Sequence, residues 1–161
     1  MPEFVVNDPA GSMCIVMDGD SEVIPEQFNP WNQENHGNTV EHSYTDTPQN
    51  IGYNPSTGLF SINCGRAILH IIPQFIVTRS QSAGNVILTI KRSGTVVYAE
   101  GFYVPLQEET IIGNPLSILA NAGNTLEFLV SNADNTYMTV VQGTTVTMYK
   151  HASGGTPVYS T

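Results

Sequence analysis

Residues 1–65 contain neither lysine nor arginine, and the whole chain has five such residues against 14 acids, a formal net charge of −9. A phosphate backbone needs cations to neutralise it, so nucleic acid is excluded as a natural partner, and an anionic membrane surface is disfavoured for the same reason. The shortage is uneven. Nine acids fall in residues 1–50, whereas Arg66, Arg79, Lys91, Arg92 and Lys150 all come later. Such an acidic beginning either is drawn to a basic protein surface or simply forms a solvated face.

Cysteine is nearly as scarce. Cys14 sits inside the apolar run Met13–Met17 and Cys64 in a turn-rich context, which suits buried free thiols better than a disulfide framework. Apolar runs stay far shorter than a bilayer crossing requires. Met1-Pro2-Glu3-Phe4 has no basic head leading into an apolar stretch, so synthesis in the cytoplasm without a cleaved leader is expected. At 161 residues the chain accommodates one domain plus an arm. Charged residues make up only 12%, and Thr, Asn, Ser and Gly take their place, a composition suited to an uncharged β surface.

Catalytic vocabulary is missing as well. His36, His42, His70 and His151 are scattered, and there is no nucleophile elbow, phosphate loop or Cys-x-x-Cys pair. The spacing of Glu34, His36, Glu41 and His42 fits no zinc motif. Asp18-Gly19-Asp20-Ser21-Glu22 lacks the glycine that a calcium loop places sixth, and reads as a turn. No catalytic, metal or cofactor-binding residue is therefore assigned.

What is present is β structure. Tyr53-Asn54-Pro55-Ser56-Thr57-Gly58-Leu59-Phe60-Ser61-Ile62 is a bend feeding two strands, followed by Cys64-Gly65-Arg66 and a long apolar strand. Strands are expected over 39–44, 59–62, 66–78, 85–91, 95–104, 116–120, 125–130 and 137–149, with tight hairpins at Arg92-Ser93-Gly94 and Asn121-Ala122-Gly123-Asn124. Eight strands with short turns predict an all-β, antiparallel sandwich or jelly roll over 38–150. Residues 1–37 read as an extended N-terminal arm and 151–161 as a flexible tail.

Alternation in the strand over 66–78 puts Ala67, Leu69, Ile71, Pro73, Phe75 and Val77 on one face and Arg66, Ile68, His70, Ile72, Gln74 and Ile76 on the other. A lone sandwich would wet one of these faces, yet both are apolar. Val140, Val146 and Met148 give the last strand a similar character, with Val141 and Tyr149 opposite. Either the arm covers the second face or identical copies do. The expected oligomer interface is Ile68, His70, Ile72, Ile76, Val140, Val146 and Met148. His70, lying among isoleucines, reads as an interface or core histidine rather than a base.

The order of these motifs resembles a known family. Tyr53–Phe60 with Cys64-Gly65, the hairpin Leu88–Val97, and the pair of strands over 116–130 around Ala122-Gly123-Asn124 are similar to the corresponding passages of tumour-necrosis-factor and complement-head-like jelly rolls, over roughly residues 38–150. The resemblance implies a homotrimer. With no collagen-like stalk and a Thr/Asn-rich composition, it points to the bacteriophage members of the family. The role expected is a capsid decoration (cement) protein on the outside of the virion, with the major capsid protein as partner. An arm docking through Phe4, Ile15, Asp18, Asp20, Glu22 and Trp31 would then hold it, although Trp31 could equally fold back on its own domain. Deleting residues 1–30 should in that case abolish docking and leave the trimer intact. The competing reading is a receptor- or glycan-binding fibre tip, using Tyr103, Tyr137 and loops around 98–107 and 132–136.

Overall fold

The computed structural model describes residues 3–5, 12–23, 27–33, 39–44, 50–134, 136–150 and 158–160; Glu34, His36 and His151 lie outside them. The strands are β1 (Glu3–Val5), β2 (Ser12–Asp18), β3 (Ser21–Val23), β4 (Thr39–Tyr44), β5 (Ile51–Asn54), β6 (Leu59–Ile62), β7 (Ala67–Arg79), β8 (Gly84–Arg92), β9 (Thr95–Val104), β10 (Thr110–Ile112), β11 (Leu116–Ala120), β12 (Thr125–Asn132), β13 (Met138–Val140), β14 (Thr145–Lys150) and β15 (Val158–Ser160). They form the expected antiparallel jelly-roll sandwich. One sheet runs β5-β6-β12-β8-β9. In the other, β7 is the central row, with β11 and β10 along one edge and β14 and β13 along the other; β2 and β4 continue beyond β14, and β3 beyond β13.

β7 follows its predicted alternation along its whole length. Leu69, Ile71, Phe75 and Val77 are fully buried, whereas Ile68 and Gln74 are exposed and His70, Ile72 and Ile76 half-buried. Across the core stand Val86, Leu88 and Ile90 of β8 and Phe128 and Val130 of β12, all fully buried. Phe60 meets Phe128 edge to face at 5.5 Å. Each such side chain contributes about 1.5–3 kcal/mol relative to exposure. The β8–β9 hairpin closes through Ser93 and Gly94, both at positive φ, the backbone of the turn that matches strand twist.

Two expectations are corrected. The strand predicted over 137–149 is two strands, because the chain turns at 141–144, with Gly143 at φ 93°. The buried Thr144 hydroxyl donates to Val141 O and accepts from Ile76 N, both at 2.9 Å, tying this interruption to β7. Val140, Val146 and Met148 stand opposite Val77, Pro73 and Ile71 of β7 and face the protomer's own core with them, fully buried, so these three do not belong to an outward interface.

The second correction concerns the arm. β2 is an interior row of the sheet, with Ile15 opposite Val146 on one side and His42 on the other, so Ile15 is fully buried core and not a docking residue. Residues 27–33 are also built in. Phe28 exchanges two 2.9 Å backbone hydrogen bonds with Val130, extending the row that β6 begins beside β12. Trp31 is fully buried 5.9 Å from Phe75, so it is a core residue of its own domain rather than a docking anchor. The predicted bend is what receives it. Gly58, at φ 70°, accepts a hydrogen bond from Asn29 Nδ2 at 3.1 Å, and a side chain at 58 would come within 2.5 Å of that nitrogen. Tyr53 donates to Trp31 O, and Gln33 N to Pro55 O.

Candidate assembly interface

The outward face of the β7 sheet is built by cross-strand pairs. Ile68 stands opposite Leu119, His70 opposite both Ser117 and Tyr149, Ile72 opposite Thr147, and Ile76 opposite Ile111. Ile111 is 65% exposed, Ile68 48%, Leu119 42% and Tyr149 40%, an apolar stripe wetted in the isolated chain. Outward positions of β7, β10, β11 and β14 carry no Asp, Glu, Lys or Arg. His70 is held in place: its Nδ1 lies 2.9 Å from Ser117 Oγ, and its ring stacks on Tyr149 at 4.9 Å. Of the predicted interface set, Ile68, His70, Ile72 and Ile76 thus share this face. Leu119, Tyr149 and Ile111, which the predicted set does not include, share the face with them. They are the register partners of Ile68, His70 and Ile76, and only the strand pairing identifies them.

The remaining predicted docking residues do not come together. Asp18 ends β2, Glu22 lies in β3 opposite Thr139, and Asp20 is exposed in the turn between, accepting from Gln142 N at 2.8 Å. Phe4 is in β1, a separate two-stranded ribbon in which it pairs with Tyr159 of β15.

A second construction occupies one end of the sandwich. Arg79, fully buried at the end of β7, shares its five N–H groups among six acceptors: Ser82 O and Oγ, Asn85 O, Asn132 Oδ1, Thr136 Oγ1 and Asp134 Oδ2, the last at 2.5 Å. Gln107 N donates to its carbonyl at 2.7 Å. One guanidinium therefore locks the loops over 80–84 and 133–137, and its backbone holds that over 105–109. Hydrogen bonds from Thr136, then from Arg79, keep the Asp134 carboxyl below the usual carboxylate range. Tyr103, Leu106 and Tyr137 stand exposed on this rigid end, at 64%, 46% and 43%. The two loops singled out for ligand binding are thus neighbours, joined by an arginine whose role nothing in the sequence signals.

On the flank, Glu100 accepts from the Tyr98 hydroxyl and from Asn114 Nδ2. Partial burial, then Glu100, pushes the Tyr98 phenol well above its ordinary value, and the same hydrogen bonds hold Glu100 below its own. A phenol that keeps its proton against an ionised carboxylate is a structural clip, not an acid–base pair. Among the described residues no three His, Cys, Asp or Glu side chains are grouped to hold a metal ion.

The pairing order and the two facing sheets define a tumour-necrosis-factor-like jelly roll. Solved structures agree. Eiger TNF from S. frugiperda superposes with a TM-score of 0.62 at 10% identity, over 95% of this chain and 99% of that one. PRD1 vertex protein P5 superposes with a TM-score of 0.52 at 15% identity, over 91% and 98%. No protein-family profile and no curated protein matches the sequence.

Proposed function

We propose that this chain is a non-enzymatic structural protein of a bacteriophage virion, a homotrimer that binds the major capsid protein on the outside of the capsid and stabilises the shell. The observation that carries the reading is the uncharged apolar stripe Ile68–Leu119–Tyr149–Ile72–Ile76–Ile111 on the outward face of the sheet. A stripe without formal charge can meet its own copies around a rotation axis without stranding a charge in the contact. A jelly roll shared with a vertex protein supports the virion setting. The role is mechanical: each trimer touches several shell subunits, and modest contacts add through effective concentration. Light scattering on the purified protein should give three chains per particle at micromolar concentration, and intact virions should carry the chain in multiples of three on their outer surface. A stable monomer overturns the reading.

A specific observation favours a second reading. Tyr103, Leu106 and Tyr137 form exposed side chains on the end that Arg79 makes rigid, and flat aromatic faces beside amides suit a sugar ring. Under that reading the trimer is the receptor- or glycan-binding tip of a fibre. Specific glycan-array binding by the trimer, lost on Tyr103→Ala, would select it over the cement role.

A further inference from the structure

Three exposed side chains stand at the Arg79 end of the sandwich, and the backbone beneath each is linked to that arginine. Tyr103 is the register partner of Asn85, whose carbonyl accepts from Arg79 Nη1. Leu106 bridges to Arg79 and precedes Gln107, whose N–H donates to the Arg79 carbonyl. Tyr137 follows Thr136, whose hydroxyl accepts from Arg79 Nη2, and its own N–H donates to Gln81 Oε1 at 3.4 Å. Ordering a loose loop costs a binding partner entropy. Here the backbone is already fixed, so a partner meets a preformed patch of two aromatic rings and an aliphatic chain.

The charge beside this patch has one sign. Glu108 and Glu109 follow Gln107 directly and are exposed, and Asp134, exposed as well, is offset by its ion pair with Arg79. The chain has only five Lys and Arg residues, and all five are among the described ones, so the remaining segments add none. Arg79 itself is buried. Gly84, at the start of β8, lies against its guanidinium, whereas Lys91 and Arg92 are at the other end of that strand. Lys150 is the register partner of Leu69, and Arg66 precedes β7, the strand that Arg79 ends. The lengths of strand between put each of these four more than about 20 Å from Arg79. That is well beyond the screening length of about 8 Å in physiological salt.

We propose that this end is the surface by which the molecule docks on its shell, and that the partner is a protein surface on which basic residues stand beside apolar ones. This rests on the reading that the chain sits on a capsid. Tyr103, Leu106 and Tyr137 supply the apolar contact, while Glu108 and Glu109 face the partner's cations and steer its approach. A phosphate or acidic sugar meets repulsion here, and a neutral sugar leaves both carboxylates unused. Rotation about a three-fold axis keeps equivalent points at one height along it, so the assembled protein offers three such ends to a shell together, and their contacts add through effective concentration. The polarity expected for Asp18, Asp20 and Glu22, acids toward a basic shell, is thereby assigned to Glu108 and Glu109, which adjoin an apolar patch.

The test labels accessible carboxylates with a carbodiimide and glycine ethyl ester, on the purified full-length protein and on virions that carry it, and reads each site by mass spectrometry. Glu108 and Glu109 should be labelled in the free protein and protected on the virion. A second measurement uses the purified, assembled protein at pH 7 on surfaces of polylysine and of a lysine–phenylalanine copolymer. Glu108→Gln/Glu109→Gln should bind both about tenfold more weakly than wild type, whereas Glu3→Gln/Asp8→Asn, the same change in net charge, should stay within about twofold. Tyr103→Ser/Leu106→Ser should lose the tighter binding that the copolymer gives wild type over polylysine. Equal labelling of Glu108 and Glu109 in both states, equal weakening by the two charge variants, or glycan binding lost on Tyr103→Ala overturns the proposal. Light scattering and virion copy number report on the assembly reading separately, so a chain present in threes on virions with Glu108 and Glu109 still labelled fails only here.

Discussion

Arg79 is the residue on which one end of the molecule depends. It is fully buried, and its guanidinium shares five N–H groups among six acceptors at the ends of β8 and β12 and in the loops beside them. Gly84 is part of the arrangement, since a side chain there would come within 2.9 Å of the guanidinium. Arg79→Met keeps the apolar stem and strands the Ser82 and Asn85 carbonyls, which should cost roughly 2–4 kcal/mol and lower Tm by roughly 5–15 °C. An unchanged melting temperature would show that the loops do not need it. The Asp134 partner adds a pH dependence. Its folded pKa is lowered, by Thr136 first and Arg79 second, so its contribution is present above the unfolded value and lost as pH falls through the folded one. The difference in Tm between wild type and Asp134→Asn should therefore shrink as pH drops below about 4. Nothing in the sequence marks Arg79, because a lone arginine ending an apolar strand reads as a solvated terminus until the folding of three loops surrounds it.

At the scale of elements, what was legible and what was not divides by the kind of signal. β7 was legible because thirteen residues repeat one period, and its two faces could be assigned before any partner strand was known. The hairpins at 93–94 and 121–124 were legible from turn chemistry. Residues 12–33 were not. Their polar, Asn-rich stretches carry no period, and Trp31 is buried and Phe28 half-buried in a groove that exists only once Gly58 turns and β12 offers its free edge. The apolar run Met13–Met17 is a strand whose Met13, Ile15 and Met17 are core, a fact that short length and distance from the other strands concealed. The consequence is measurable. Removing residues 1–30 takes out β2, the row between β14 and β4, and leaves Trp31 without its tether. Such a chain should lose the native fold, seen as loss of β-sheet circular dichroism and a red shift of emission from Trp31, the single tryptophan. A truncated chain that still assembles would restore the arm as a separable element.

For the whole molecule the decisive question is whether the apolar stripe is covered by copies of itself, and neighbouring residues of β7 allow it to be asked cleanly. Ile71 and Ile72 are adjacent in sequence and point to opposite sides of one strand; Ile71 is fully buried and Ile72 half-buried. Ile71→Asp places a carboxylate in the core, where its desolvation is uncompensated, and should prevent folding altogether. Ile72→Asp places the same group at the middle of the outward stripe, between Thr147 and the Ile68–His70 row. In a monomer it is partly wetted and should cost about 1–2 kcal/mol, short of unfolding the domain. In an assembly closed about this face, every copy brings a carboxylate into a dry contact beside its equivalents, and like charges that close cost several kcal/mol. The expected result is a folded chain, with the wild-type far-ultraviolet spectrum, that light scattering finds as a monomer. An Ile72→Asp protein that remains oligomeric would mean that the copies meet elsewhere, and that the stripe faces something other than itself.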